Sequence, residues 1–208
     1  MAVKAKRPYN ATFRQEQANA TRLRIIETAR RLLVSGAYSA VTMDEIATEA
    51  GVAYQTVYAI FGTKLRLAQA MVDQGFPHVV EAAKVFDEAR GSLDAEVWLR
   101  TTARVFRRIF EPCADLVRFM LESGDPSLLE RHKQSEESRR RRLREVTEAL
   151  AQGGRLRSGI TADDALDVLW VMTGPECYWK FVHQRGWTPD RFEQWLGESL
   201  IRMVLEKS

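Results

Sequence analysis

Between residues 53 and 66 the chain carries side chains suited to hydrogen bonding rather than to proton or electron transfer. Ala53, Tyr54, Gln55, Thr56 and Tyr58 are small or hydrogen-bonding, and none is acidic. A Gln amide bonds adenine in two places, and Thr or Ala meets a thymine methyl. Hydroxyls such as those of Thr42 and Tyr58, and cations such as Lys64, suit phosphate oxygens. Lys64 and Arg66 also stand in the first turn of an expected helix, where the macrodipole disfavours cations. A phosphate close by would account for both; two solvated side chains are the plainer alternative. Metal and nucleophile chemistry lacks comparable support. Cys113 and Cys177 are 64 positions apart, no CxxC pair exists, and His78, His132 and His183 are scattered, which excludes a zinc framework. Cys177 and His183 fall on different faces of one helix, and no phosphate loop or nucleophile elbow appears. The expectation is a protein that is not an enzyme and uses no metal or cofactor.

These side chains need short, well-punctuated helices to position them. From Thr21, residues Ile25, Ile26, Ala29, Leu32 and Leu33 recur with helical period on one face, and Gly36 closes that helix. Val41-Thr42-Met43-Asp44-Glu45-Ile46 combines a capping box, Thr42 with Glu45, and a hydrophobic staple, Val41 with Ile46. Gly51 ends the second helix after about two turns, and a third begins near Ala53. Phe61-Gly62-Thr63 closes it, with Thr63 placed to cap a fourth from Lys64. Two short helices joined by a tight turn form a helix-turn-helix, although small helical bundles contain such pairs too. Small Ala47 allows a close crossing, with Val52 and Val57 between the helices. A recognition helix of this kind lays its N-terminal residues against base edges in the major groove.

Thr42-Met-Asp-Glu-Ile-Ala47, Ala50-Gly51-Val52, Gln55-Thr56-Val57-Tyr58 and Phe61-Gly-Thr-Lys64 together resemble the DNA-binding signature of the TetR family of transcriptional regulators, without gaps over about residues 22–70. The resemblance implies base contacts from Tyr54, Gln55 and Thr56 and phosphate contacts from Thr42, Tyr58 and Lys64, with Met43 and Ala53 beside the DNA. Ala53 replaces a common capping Ser, Ile60 a frequent His and Leu65 a frequent Glu. The family also implies a homodimeric repressor on a palindromic double-stranded operator, released by a small apolar effector in a C-terminal pocket, with the fourth helix as lever.

The expected fold is all-α with about nine helices: a basic arm over 1–20, a helix-turn-helix domain over 21–68 and an effector and dimerisation domain over 69–208. Ser92 is placed to cap a helix reaching Phe110, Asp125-Pro126 opens one to about Gln152, and Thr161 and Thr188-Pro189 open two more. Ala165–Met172 is apolar nearly all round, so it is buried on more than one side; Gly174-Pro175 interrupts it. Asp167-Val-Leu-Trp170, Gly186-Trp187-Thr188 and Trp195-Leu196 resemble the C-terminal region of one TetR subgroup, which implies a dimer through Leu169, Met172, Trp195, Leu196, Leu200 and Met203. A plain monomer core uses the same pattern. Trp98, Phe106, Phe110, Phe119, Met120, Trp170, Tyr178 and Trp179 supply apolar material for a pocket or for a core. Arg139–Arg142 reads as a solvated face paired Glu136 to Arg140 and Glu137 to Arg141, or as a secondary anion site. The 208 residues carry a net charge of +3, and this is unevenly distributed. Residues 1–75 hold ten Lys or Arg against six Asp or Glu, while the rest carries one more acid than base. No signal segment or membrane span is evident, so a cytoplasmic, membrane-free setting is expected.

Overall fold

The computed structural model describes residues 11–76 and 94–206, with ten α-helices among them. The chain divides into two compact units, Met1–Val72 and Asp73–Ser208.

In the first unit, α1 (Ala11–Ser35) begins ten residues earlier than Thr21. The stretch from Ala11 to Ala20 is rich in Ala, Arg, Gln and Glu, which favour helix, so only residues 1–10 of the expected arm lie outside the described residues. Ile25, Ile26, Ala29 and Leu33 are buried as one face. The α2 helix (Met43–Glu49) starts on the expected box: the Glu45 amide donates to Thr42 Oγ1 at 3.2 Å, and the Thr42 amide to Glu45 Oε2 at 2.7 Å. Gly51 turns the chain with φ +64°, a conformation costing an L-residue about 1–2 kcal/mol. The α3 helix (Tyr54–Phe61) buries Val57 and Phe61, while Ile46 and Ala47 come from α2. The α4 helix (Lys64–Gly75) starts with Thr63 Oγ1 accepting from the Arg66 amide at 3.2 Å. It crosses the boundary between units without a break.

The second unit contains α5 (Ala95–Phe110), α6 (Ala114–Glu122), α7 (Pro126–Gln152), α8 (Ala162–Met172), α9 (Pro175–Tyr178), a π-helical turn over Trp179–Gln184, and α10 (Pro189–Val204). Asp94, not Ser92, caps α5, accepting from the Glu96 and Val97 amides; Ser92 lies outside the described residues. Asp125, Thr161 and Thr188 cap α7, α8 and α10 as expected. At Gly174-Pro175 the chain does not merely kink: α8 ends at Met172, and the chain restarts as one short turn. The α10 helix packs on α5 and α8, and α7 on α6 and α8. At Gly197 α10 and α5 are in ordinary contact, since a Cβ there would stand 3.5 Å from the Arg100 Cα. Arg107 joins α5 to α10, lying 3.0 Å from Asp190 and 3.7 Å from Glu193. The last turn of α4 belongs to this unit. A Cβ on Gly75 would overlap the fully buried Leu116 of α6, and Asp73 pairs with Arg131 of α7.

Candidate nucleic-acid interface and ligand cavity

The α3 helix turns Val57 and Phe61 inward, so helical period leaves Tyr54, Gln55 and Tyr58 exposed. Tyr54 and Tyr58, one turn apart, stack with ring centroids 6.3 Å apart. Ala53 is exposed and supplies no side-chain cap, and Thr56 and Met43 are half-buried. The outward face of α3 carries no charge of either sign, so nothing on it repels a phosphate backbone.

Lys64 departs from expectation. Its Nζ donates to the carbonyl oxygens of Tyr38 at 2.7 Å and Val41 at 2.9 Å, and sits 4.6 Å over the Tyr38 ring. The unfavourable position in the first turn of α4 is therefore offset within the protein, by tying down the connection between α1 and α2. One N–H remains for any other acceptor. Thr42 is similarly engaged, since its hydroxyl donates to Glu45 Oε2 at 3.0 Å. Hydrogen bonds from the Thr42 amide and hydroxyl, with the Lys64 charge behind them, hold the Glu45 carboxyl below the usual carboxylate range. Arg66, by contrast, is exposed, and its guanidinium makes no hydrogen bond or ion pair among the described residues.

Residues 25–71, covering this whole arrangement, match the model of the family described as bacterial regulatory proteins, tetR family. The match lies within the N-terminal unit. Over 111 residues the chain is 32% identical to the HTH-type transcriptional regulator AlkX of Mycobacterium tuberculosis, a match covering 51% of this chain. It thus spans about half the length of that relative, 50%. The fold extends further. It is similar to NalD, the secondary repressor of the MexAB-OprM multidrug efflux pump in Pseudomonas aeruginosa, with a TM-score of 0.65, 20% identity, and coverage of 92% of this chain and 100% of that one. It is also similar to a putative transcriptional regulator from Saccharomonospora viridis in complex with choline, with a TM-score of 0.68, 18% identity, and coverage of 91% and 100%.

In the second unit, α5, α6 and α7 line a cavity of about 730 Å³, open solvent included. Phe106, Phe110 and Met120 line it as expected, joined by Val105, Ile109, Val117 and, from the end of α4, Phe76. Trp98, Phe119 and Tyr178 are buried core residues, and burial pushes the Tyr178 hydroxyl up to about 12. Trp179 faces a separate opening beside Arg118 and stacks on His183 at 4.3 Å. Trp170 lies outside the cavity lining, its Nε1 donating to Glu136 at 3.1 Å.

The polar wall of the cavity was not expected. His132, Ser135, Arg139 and Arg142 recur at three- and four-residue steps on α7, with Glu136 and Ser138 beside them. The basic run is therefore not one solvated face. Arg139 is 9% exposed; its guanidinium donates twice to Glu136, to the Trp170 carbonyl at 2.7 Å and to Thr173 Oγ1 at 3.1 Å. Glu136 serves Arg139 rather than Arg140, whose nearest acid is Asp167 at 3.9 Å.

Three of the expected dimer residues are core residues. Leu169, Leu196 and Leu200 have no exposed surface, because α8 and α10 turn them against each other and against α7 and α5. Trp195 is half-buried in an aromatic cluster, 4.3 Å from Phe181. Met172 is half-buried, while Met203 (41%) and the unexpected Val171 (62%) are exposed. Among the described residues no helix is long and apolar enough to cross a membrane, and no metal-ligand group occurs.

Proposed function

We propose that the chain is a ligand-responsive transcriptional repressor that binds a palindromic operator as a homodimer. The carrying observation is the uncharged, hydrogen-bonding face of α3, held by a capped α2 and a Gly51 turn within a tetR-family match. Tyr54 and Gln55 address base edges. Thr56 and Ala53 meet thymine methyl groups, with Met43 nearby, and Tyr58 and Arg66 address phosphates. Thr42 and Lys64 contribute chiefly by holding the start of α2. Two copies with recognition helices about 34–36 Å apart meet successive major grooves, which makes the operator two-fold symmetric. Exposed Val171 and Met203 belong to the surface joining the copies.

Ligand response follows from α4. Its first turn carries Lys64 and Arg66; its last turn is gripped by Leu116 and Arg131, and the next residue, Phe76, lines the cavity. A ligand preferring one placement of Phe76 shifts the population of α4 arrangements, to the extent of its differential affinity. A gel shift of the full-length protein against DNA flanking its own coding sequence tests the reading. A retained palindromic fragment is expected, with Gln55→Ala costing about 1–3 kcal/mol on that fragment and nothing on random DNA. Failure to retain any fragment at low salt would refute the proposal.

A further inference from the structure

The cavity wall on α7 is charged, and its charges are unequally satisfied. Glu136 accepts from two nitrogens of Arg139 and from Trp170 Nε1, so this pair is closed and electrically neutral. Arg142, one helical turn further along the same face, is half-buried and has no hydrogen bond or ion pair among the described residues. The hydroxyls of Ser135 and Ser138 line the same edge, also without partners. Opposite them stand the hydrocarbon surfaces of Phe106, Ile109, Phe110, Val117 and Met120. The lining thus combines an apolar floor with a guanidinium that has no partner among the described residues.

We propose that the cavity takes an amphiphile with an anionic head, its apolar body against α5 and α6 and its carboxylate or similar group on Arg142. This rests on reading the cavity as the effector site. The guanidinium presents N–H donors in a planar fork that matches a carboxylate in two bonds. Partial burial strengthens that attraction relative to water. A cationic head meets the same guanidinium with repulsion, and an alcohol satisfies only one donor. The Glu136 carboxylate does not oppose an anion, because Arg139 neutralises it at contact.

Calorimetric titration of the full-length protein with decanoate, decanol and decyltrimethylammonium tests this. Decanoate is expected to bind about tenfold or more tightly than decanol, the scale of one charge-assisted hydrogen bond, with the cation weakest. Arg142→Gln should remove that advantage and leave decanol affinity unchanged. Arg142 is not a core residue, so unchanged tryptophan fluorescence serves as the folding control. Equal binding of decanoate and decanol, tighter binding of the cation, or indifference to Arg142→Gln overturns the anionic class while leaving the effector site intact. Absence of binding by all three overturns both.

Discussion

Replacing Lys64 with alanine distinguishes a tether from a phosphate contact. The ammonium makes two charge-assisted bonds, to Tyr38 and Val41, and lies over the Tyr38 ring. Such bonds contribute about 1.5 kcal/mol each at the low end, fitting a half-buried site, and the ring about 0.5 kcal/mol. Ordering a lysine side chain costs about 1.5–2 kcal/mol. The difference predicts a loss of roughly 2 kcal/mol from the first unit. All five tryptophans lie beyond residue 72, in the second unit. Urea unfolding of Lys64→Ala should therefore move the far-ultraviolet dichroism transition of the first unit earlier and leave the tryptophan fluorescence transition in place. On operator DNA, the slope of log K against log salt should change by well under one. Arg66→Ala should lower that slope by about 0.9, the signature of one lost phosphate contact. Unaltered stability in Lys64→Ala, together with a slope change near one, would refute the tether.

Two further outcomes follow from the bonds of Glu136 and of Glu45. Arg139→Met leaves the half-buried Glu136 without its two charge-assisted bonds, so the second unit should lose about 3–5 kcal/mol, read by urea unfolding followed by tryptophan fluorescence. Glu136→Gln with Arg139→Met should recover much of that loss. Glu45 has a depressed carboxyl pKa in the folded chain, below the ordinary value of 4.5. Its contribution to stability is therefore complete above the unfolded value and disappears as pH falls through the folded one. Acid unfolding of Thr42→Ala should show a weaker dependence on pH in that window than the parent; an identical profile would mean the capping box does not shift Glu45.

The features legible from the residues themselves are those made by neighbours in the chain. The capping box at Thr42, the cap at Thr161, the Gly51 turn, the Pro starts of α7 and α10 and the inward Val57 and Phe61 all depend on partners within one or two turns. Residue type and spacing therefore suffice to locate the helix-turn-helix and to expose Tyr54, Gln55 and Tyr58. Fate across longer separations was not legible. Lys64 meets carbonyls 23 and 26 residues away, so its role depends on how the α1–α2 connection returns to α4. In the run Arg139–Arg142 four identical side chains have different environments: α8 and its C-cap supply the Trp170 carbonyl and Thr173 to Arg139, while Arg142 lines the cavity without a partner among the described residues. Leu169, Leu196 and Leu200 look as suitable for a partner as for a core, since periodicity gives a face but not what covers it. Local hydrogen bonds determined the helices and the outward face of α3 from sequence. Only packing between distant helices decided which charges are closed off and which remain available to a ligand.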